Sequence, residues 1–65
     1  MRCIVSAFSN GSGTLKPRNG SGDVMVNYKA IHHHPKALTV GQEVYVELEA
    51  NGQGQRIAHN VFLVN

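Results

Sequence analysis

The stretch that decides the fold reads Asp23-Val24-Met25-Val26-Asn27-Tyr28-Lys29-Ala30-Ile31. In an extended chain Val24 and Val26 point to one side, and Met25 and Asn27 to the other. β-branched residues suit a half-buried strand. Gly20-Ser21-Gly22 in front of it has turn chemistry. The pattern predicts a strand over 23–28 with one face for a core and a second face free for something else. Lys29-Ala30-Ile31 has room for one helical turn, with Ile31 as a core plug.

Working outward, residues 2–8 contain Cys3-Ile4-Val5 and end on Phe8, a first strand. Ser9-Asn10-Gly11-Ser12-Gly13 is a turn, because Asn-Gly supplies the positive φ angles of a tight hairpin. Residues 14–17 form a short second strand, and Pro17, without an N–H, marks a strand end or an edge. On the other side, His32-His33-His34-Pro35 opens a loop that runs to Gly41, with Leu38 as its anchor. Over 43–50 Val44, Val46 and Leu48 alternate with Tyr45, Glu47 and Glu49, a fourth strand. Asn51-Gly52-Gln53-Gly54 turns the chain, and 56–64 is the fifth strand. No helix-period pattern is long enough for a helix. Five short strands joined by Gly/Asn turns predict a small all-β, antiparallel barrel. There is no internal repeat and no low-complexity tail.

Size and composition bound the function. Sixty-five residues make one domain, 1–65, with little surface to bury. The single cysteine, Cys3, excludes an internal disulfide and a cysteine-rich zinc cluster. No apolar run follows the start and none approaches a membrane span, so the expectation is a soluble, cytoplasmic protein without a leader. A net charge of +2 and a pI of about 9.0 permit an anionic partner without demanding one.

Three groups of residues, in order along the chain, carry a resemblance. They are Asp23-Val24-Met25-Val26-Asn27-Tyr28 with Ala30-Ile31, then Gly41-Gln42-Glu43-Val44, then Ala58-His59-Asn60-Val61. In this order the sequence resembles the cold-shock domain, a five-stranded OB-type barrel, over nearly its whole length. The second group is similar to the family's Gly-Gln-x-Val and the third to its Ala-x-Asn-Val ending. The first sits where the family has its second ribonucleoprotein motif. Asn10-Gly11-Ser12-Gly13-Thr14-Leu15 sits where the family has its first. The resemblance implies a core built from Val5, Leu15, Val24, Val26, Ile31, Val44, Val46, Leu48 and Val61.

The same resemblance implies a depleted binding platform. The family's rings for stacking on single-stranded bases fall here on Ala7, Ser12, Thr14 and Met25, and its histidine on Asn27. Phe8 and Tyr28 alone keep aromatic character at platform positions. Stacking contributes about 1–3 kcal/mol per base, so losing four rings costs roughly 4 kcal/mol, near a thousandfold in affinity. Binding then rests mainly on phosphates and is weak and salt-sensitive.

Lys16, Arg18 and Lys29 are the cations expected near the platform, where they can touch phosphates or serve as ordinary solvated charges. Three successive histidines in an extended loop point in alternating directions and seldom chelate one ion, so no metal and no cofactor are expected. Glu47 and Glu49 share a strand face about 7 Å apart, with nothing to suggest a pocket. Gly11-Ser12-Gly13 lacks the lysine of a phosphate-binding loop. A non-enzymatic binding module is therefore expected, with Phe8, Lys16, Arg18, Met25, Asn27, Tyr28 and Lys29 at its face. Two functions compete for that face: weak single-stranded RNA or DNA binding, and a scaffold repurposed to grip a protein in a transcription or RNA-handling complex. Met25, an adaptable apolar side chain, suits the second. Val61-Phe62-Leu63-Val64 is apolar on both faces. It either closes the barrel with Phe62 inside or meets a second copy, so a monomer or weak dimer is expected.

Overall fold

Asn10 and Gly11 take φ angles of 54° and 83°. Two successive positive values make a type I′ turn, whose twist matches that of the strands it joins. The turn consumes only these two residues, so β1 (Arg2–Ser9) and β2 (Ser12–Pro17) pair right up to it through Ser9 and Ser12. The second strand accordingly starts two residues earlier than the composition of 9–13 suggests. The computed structural model describes the backbone of residues 1–50 and 56–64 and the side chains of 1–48 and 56–64. The turn expected over 51–54 lies outside the described residues.

β3 (Val24–Asn27) buries Val24 and Val26 and exposes Met25 and Asn27, as its alternation requires. Tyr28–Ala30 form one 3-10 turn, after which Ile31 enters the core at 1% exposure. β4 (Glu43–Ala50) and β5 (Arg56–Leu63) form the second hairpin. The strands close in the order β1-β2-β3-β5-β4, with β4 returning to β1.

The sheet is mixed, which corrects the expectation of a purely antiparallel barrel. Five strands in a closed ring cannot alternate direction all the way round, since the number is odd. One neighbouring pair must run the same way, and it is β3 with β5, joined at Met25 and Ile57. Ile31 adds a parallel bridge to Val61 just beyond.

The interior holds Cys3, Val5, Leu15, Val24, Val26, Ala30, Ile31, Leu38, Val44, Val46, Ala58 and Val61. Leu38 anchors the long loop from inside. The loop's end is stitched to β1 by Gly41 N–H donating to the Val5 carbonyl at 2.8 Å and Val5 N–H donating to the Gln42 carbonyl at 2.9 Å. Pro17 ends β2 buried opposite Cys3, and Arg18 N–H takes over the ladder by donating to the Arg2 carbonyl.

Two further expectations are corrected. Leu48 is 36% exposed rather than in the core. The pairing slips between Glu47–Asn60 and Leu48–Ala58, so His59 is an extra residue in β5. Such a bulge increases the local twist and bends the hairpin, and Leu48 is the first residue of β4 beyond it. Phe62 is 42% exposed rather than internal. Its neighbour Val61 takes the inward position, so in a strand Phe62 must point out.

Candidate binding face

Residues paired across neighbouring strands share a face, so the register reads out the outer surface directly. Ser12 lies opposite Asn27, and Thr14 opposite Met25. Ala7 joins Thr14 from β1, and Ile57 joins Met25 from β5. Met25 is 55% exposed in the middle of this surface. Lys16 extends it along β2, two residues beyond Thr14 and on the same side.

Asn27 sets the lip of the face. Its Oδ1 accepts the Lys29 N–H at 2.9 Å and so caps the 3-10 turn. That cap fixes the chain as it leaves β3. Tyr28 then donates its backbone N–H to the Gly11 carbonyl at 2.7 Å, and its ring lies against Gly11. A Cβ at Gly11 would stand 3.1 Å from Tyr28 Cδ1. The absent side chain lets the ring settle there, half exposed at the tip of the β1–β2 hairpin.

Two open concavities of about 260 and 250 Å³ share Asn27 and Ile57. The first is completed by Lys29, Ala30, Ala58 and His59, the second by Ser12, Met25 and Val26. Together they make a shallow trough along the β3–β5 junction, with a cation at one end and a thioether at the other. Among the described residues neither Lys16 nor Lys29 has an ion-pair partner.

Met25, Asn27, Tyr28 and Lys29 are thus brought together, and Lys16 stands on the same face toward its far end. Phe8 and Arg18 are placed differently. An extra residue in β1, Ser6, shifts the pairing so that Phe8 falls opposite Gly13, in the inward row that contains Val26. Phe8 is half-buried against the core. The Ser6 hydroxyl donates to the Thr14 carbonyl at 3.0 Å. Arg18 is drawn toward β4, where it and Arg2 both donate to Glu43 Oε2, at 3.3 and 3.4 Å.

A second set of rings lies across the barrel. Tyr45 pairs with Phe62 on the outer face of β4 and β5, with Arg2 beside Tyr45 on β1. His32 stacks on Phe62, ring centres 5.2 Å apart and planes within 11°. His32 Nε2 also bonds Asn60 Oδ1, and Asn60 Nδ2 donates to Glu47 Oε1 at 2.9 Å. His33 Nε2 donates instead to the Ala37 carbonyl at 3.2 Å. His32 and His33 are therefore tied to different parts of the chain, and among the described residues no three metal-ligating side chains gather. The alternation of 43–50 marks Tyr45 as outward. That His32 returns to cover Phe62 depends on the loop's path, which no local pattern encodes.

Burial pushes the Cys3 thiol up, and the N-terminal ammonium and Arg56 offset only part of the rise. The thiol is enclosed in the barrel and takes no part in either surface. Among the described residues no helix is long and apolar enough to cross a membrane. No family model matches the chain, and no curated protein matches it.

Proposed function

We propose that the protein is a cold-shock-like, OB-type barrel that binds single-stranded nucleic acid weakly, through the outer face of β2 and β3, without catalysing a reaction. The strand order supports the fold reading, since OB barrels are five-stranded and closed or nearly so, and bind oligonucleotides over strands 2 and 3. The observation that carries the functional reading is the position of Tyr28. It stands 49% exposed at the hairpin end of that face, Lys29 follows it directly, Lys16 lies further along β2, and among the described residues neither lysine has an acidic partner. One ring gives one stacked base, and the two lysines give phosphate contacts that weaken with salt.

A second reading is favoured by Met25. An apolar side chain 55% exposed beside a trough is a natural anchor for a protein partner. The two readings separate on one surface. We expect a labelled oligonucleotide to bind weakly at low salt and to lose most of its affinity as salt rises. Tyr28→Ala should weaken it by about 1 kcal/mol, roughly fivefold, while Met25→Ala changes little. Tight, salt-insensitive binding refutes the phosphate-dominated picture. Absent binding at low salt, with a protein partner lost on Met25→Ala, replaces it with the second reading.

A further inference from the structure

The chain contains the same four residues twice, Asn10-Gly11-Ser12-Gly13 and Asn19-Gly20-Ser21-Gly22. Asn-Gly is the pair most open to intramolecular attack, because glycine puts no side chain in the way of its own amide nitrogen. In an unfolded chain the two copies have equal local reactivity. In the fold they differ at the attacking amide, which sets the rate, and in how the side chain is held.

At Asn19 both groups are engaged. Oδ1 accepts from Ser21 N–H at 2.9 Å and from the Ser21 hydroxyl at 2.6 Å. The Gly20 N–H, whose proton must leave before its nitrogen attacks, donates to the Pro17 carbonyl at 3.2 Å. At Asn10 neither is engaged. The turn uses Ser9 and Ser12 for its ladder, Asn10 is exposed, and among the described residues no acceptor holds the Gly11 N–H and no donor holds the Asn10 side chain.

We propose that Asn10 is a site of spontaneous deamidation, selected over Asn19 by the fold. Hydroxide removes the Gly11 amide proton. The nitrogen attacks Asn10 Cγ, the bond from Cγ to Nδ2 breaks, and ammonia leaves. The resulting succinimide is opened by water at either carbonyl, giving aspartate or isoaspartate, with no change in oxidation state. Both products alter the hairpin tip. Aspartate sets a carboxylate next to the residue on which Tyr28 rests, and isoaspartate adds a methylene to a two-residue turn whose carbonyl accepts the Tyr28 N–H. On the reading proposed above, the added negative charge weakens binding of a polyanion, so the residue acts as a slow, irreversible attenuator of the face.

Trypsin cuts after Arg2, Arg18 and Lys29, so peptides 3–18 and 19–29 report the two sites separately. Asn51-Gly52 falls on a third peptide and does not interfere. The folded protein is incubated at mildly alkaline pH, and amide loss in each peptide is followed by mass spectrometry with fragmentation. Asn10 should react roughly fivefold faster than Asn19 or more, the factor set by one ordinary hydrogen bond on the attacking amide. In denaturant the two rates should converge. Equal rates in the folded protein, or Asn19 leading, overturn the proposal. Oligonucleotide affinity of Asn10→Asp reads the consequence independently: a fall supports the attenuator, and an unchanged value refutes that role while the mass data still decide the modification.

Discussion

Gly13→Ala tests how β1 lies on β2, and with it the seat of Phe8. A Cβ built at Gly13 would fall 2.1 Å from the Ala7 carbonyl oxygen, 2.8 Å from Phe8 Cα and 2.9 Å from Phe8 Cδ1. Non-bonded heavy atoms rest about 3.5–4.0 Å apart, so the worst of these is short by more than about 1 Å. Two of the three obstacles are backbone, which cannot rotate aside as a side chain does. Relief requires lifting β1 from β2 at the Phe8–Gly13 pair, beside the bulge at Ser6. Overpacking commonly costs about 1–3 kcal/mol, and with backbone as the obstacle we expect the upper end. A domain of this size has roughly 3–10 kcal/mol in all. With a urea slope near 1 kcal/mol per molar, the denaturation midpoint should drop by about 2–3 M. Gly22→Ala is the control, since nothing lies within 4 Å of its Cβ position and its φ is ordinary. It should move stability by less than about 0.5 kcal/mol. If both variants melt at the same urea concentration, the close approach of β1 to Gly13 is refuted.

Val26→Ala should destabilise by about 1–3 kcal/mol, and Leu48→Ala by less although it removes more carbons, because Val26 is 3% and Leu48 36% exposed; the reverse order in urea denaturation would refute the placement of the β5 bulge. Glu43→Gln should change stability by no more than about 1 kcal/mol, since its ion pairs are with largely exposed arginines. By removing one negative charge it should raise oligonucleotide affinity modestly at low salt, and a titration showing no rise would show that charge outside the β2–β3 face does not act on the strand. Cys3 ionises less readily folded than unfolded, so its contribution to stability is complete below the ordinary thiol value of 9.0 and is lost as pH rises from there through the raised folded value. Urea midpoints of wild type and Cys3→Ala at pH 7 and above 9 should therefore converge as pH rises, and parallel curves would refute the linkage.

The parts of the fold legible in the sequence are those set by neighbours along the chain. Alternation placed Val24 and Val26 inside and Met25 outside, and Asn10-Gly11 marked the hairpin. Ile31 and Leu38 were readable as plugs because each is the largest aliphatic side chain in its stretch. What escaped depends on the register between strands. A bulge is one residue counted against a partner elsewhere, so nothing near Leu48 announces that His59 will be extra. The same holds at Ser6, which turns Phe8 from the outer face to the inner row. Met25, Asn27, Tyr28 and Lys29 could be placed on one outer surface from one strand and the turn that follows it, and Lys16 from the alternation of β2. Arg18 could not, because its partner Glu43 is brought near by β1–β4 pairing. Ile57 joins the face only through the parallel junction of β3 and β5.

That junction has a thermodynamic consequence. Among the described residues β3 and β5 meet in a single register pair, whereas β4 and β5 are paired from Val44 to Ala50. The barrel is a ring closed by its weakest link, so the easiest partial opening unzips β3 from β5 ahead of the other pairings. Met25 and Ile57 stand on opposite lips of that opening. A ligand lying along the trough therefore clasps both lips and binds only the shut ring. Its affinity is coupled to closure, and saturation should slow amide hydrogen exchange in β3 and β5 more than in the β1–β2 hairpin.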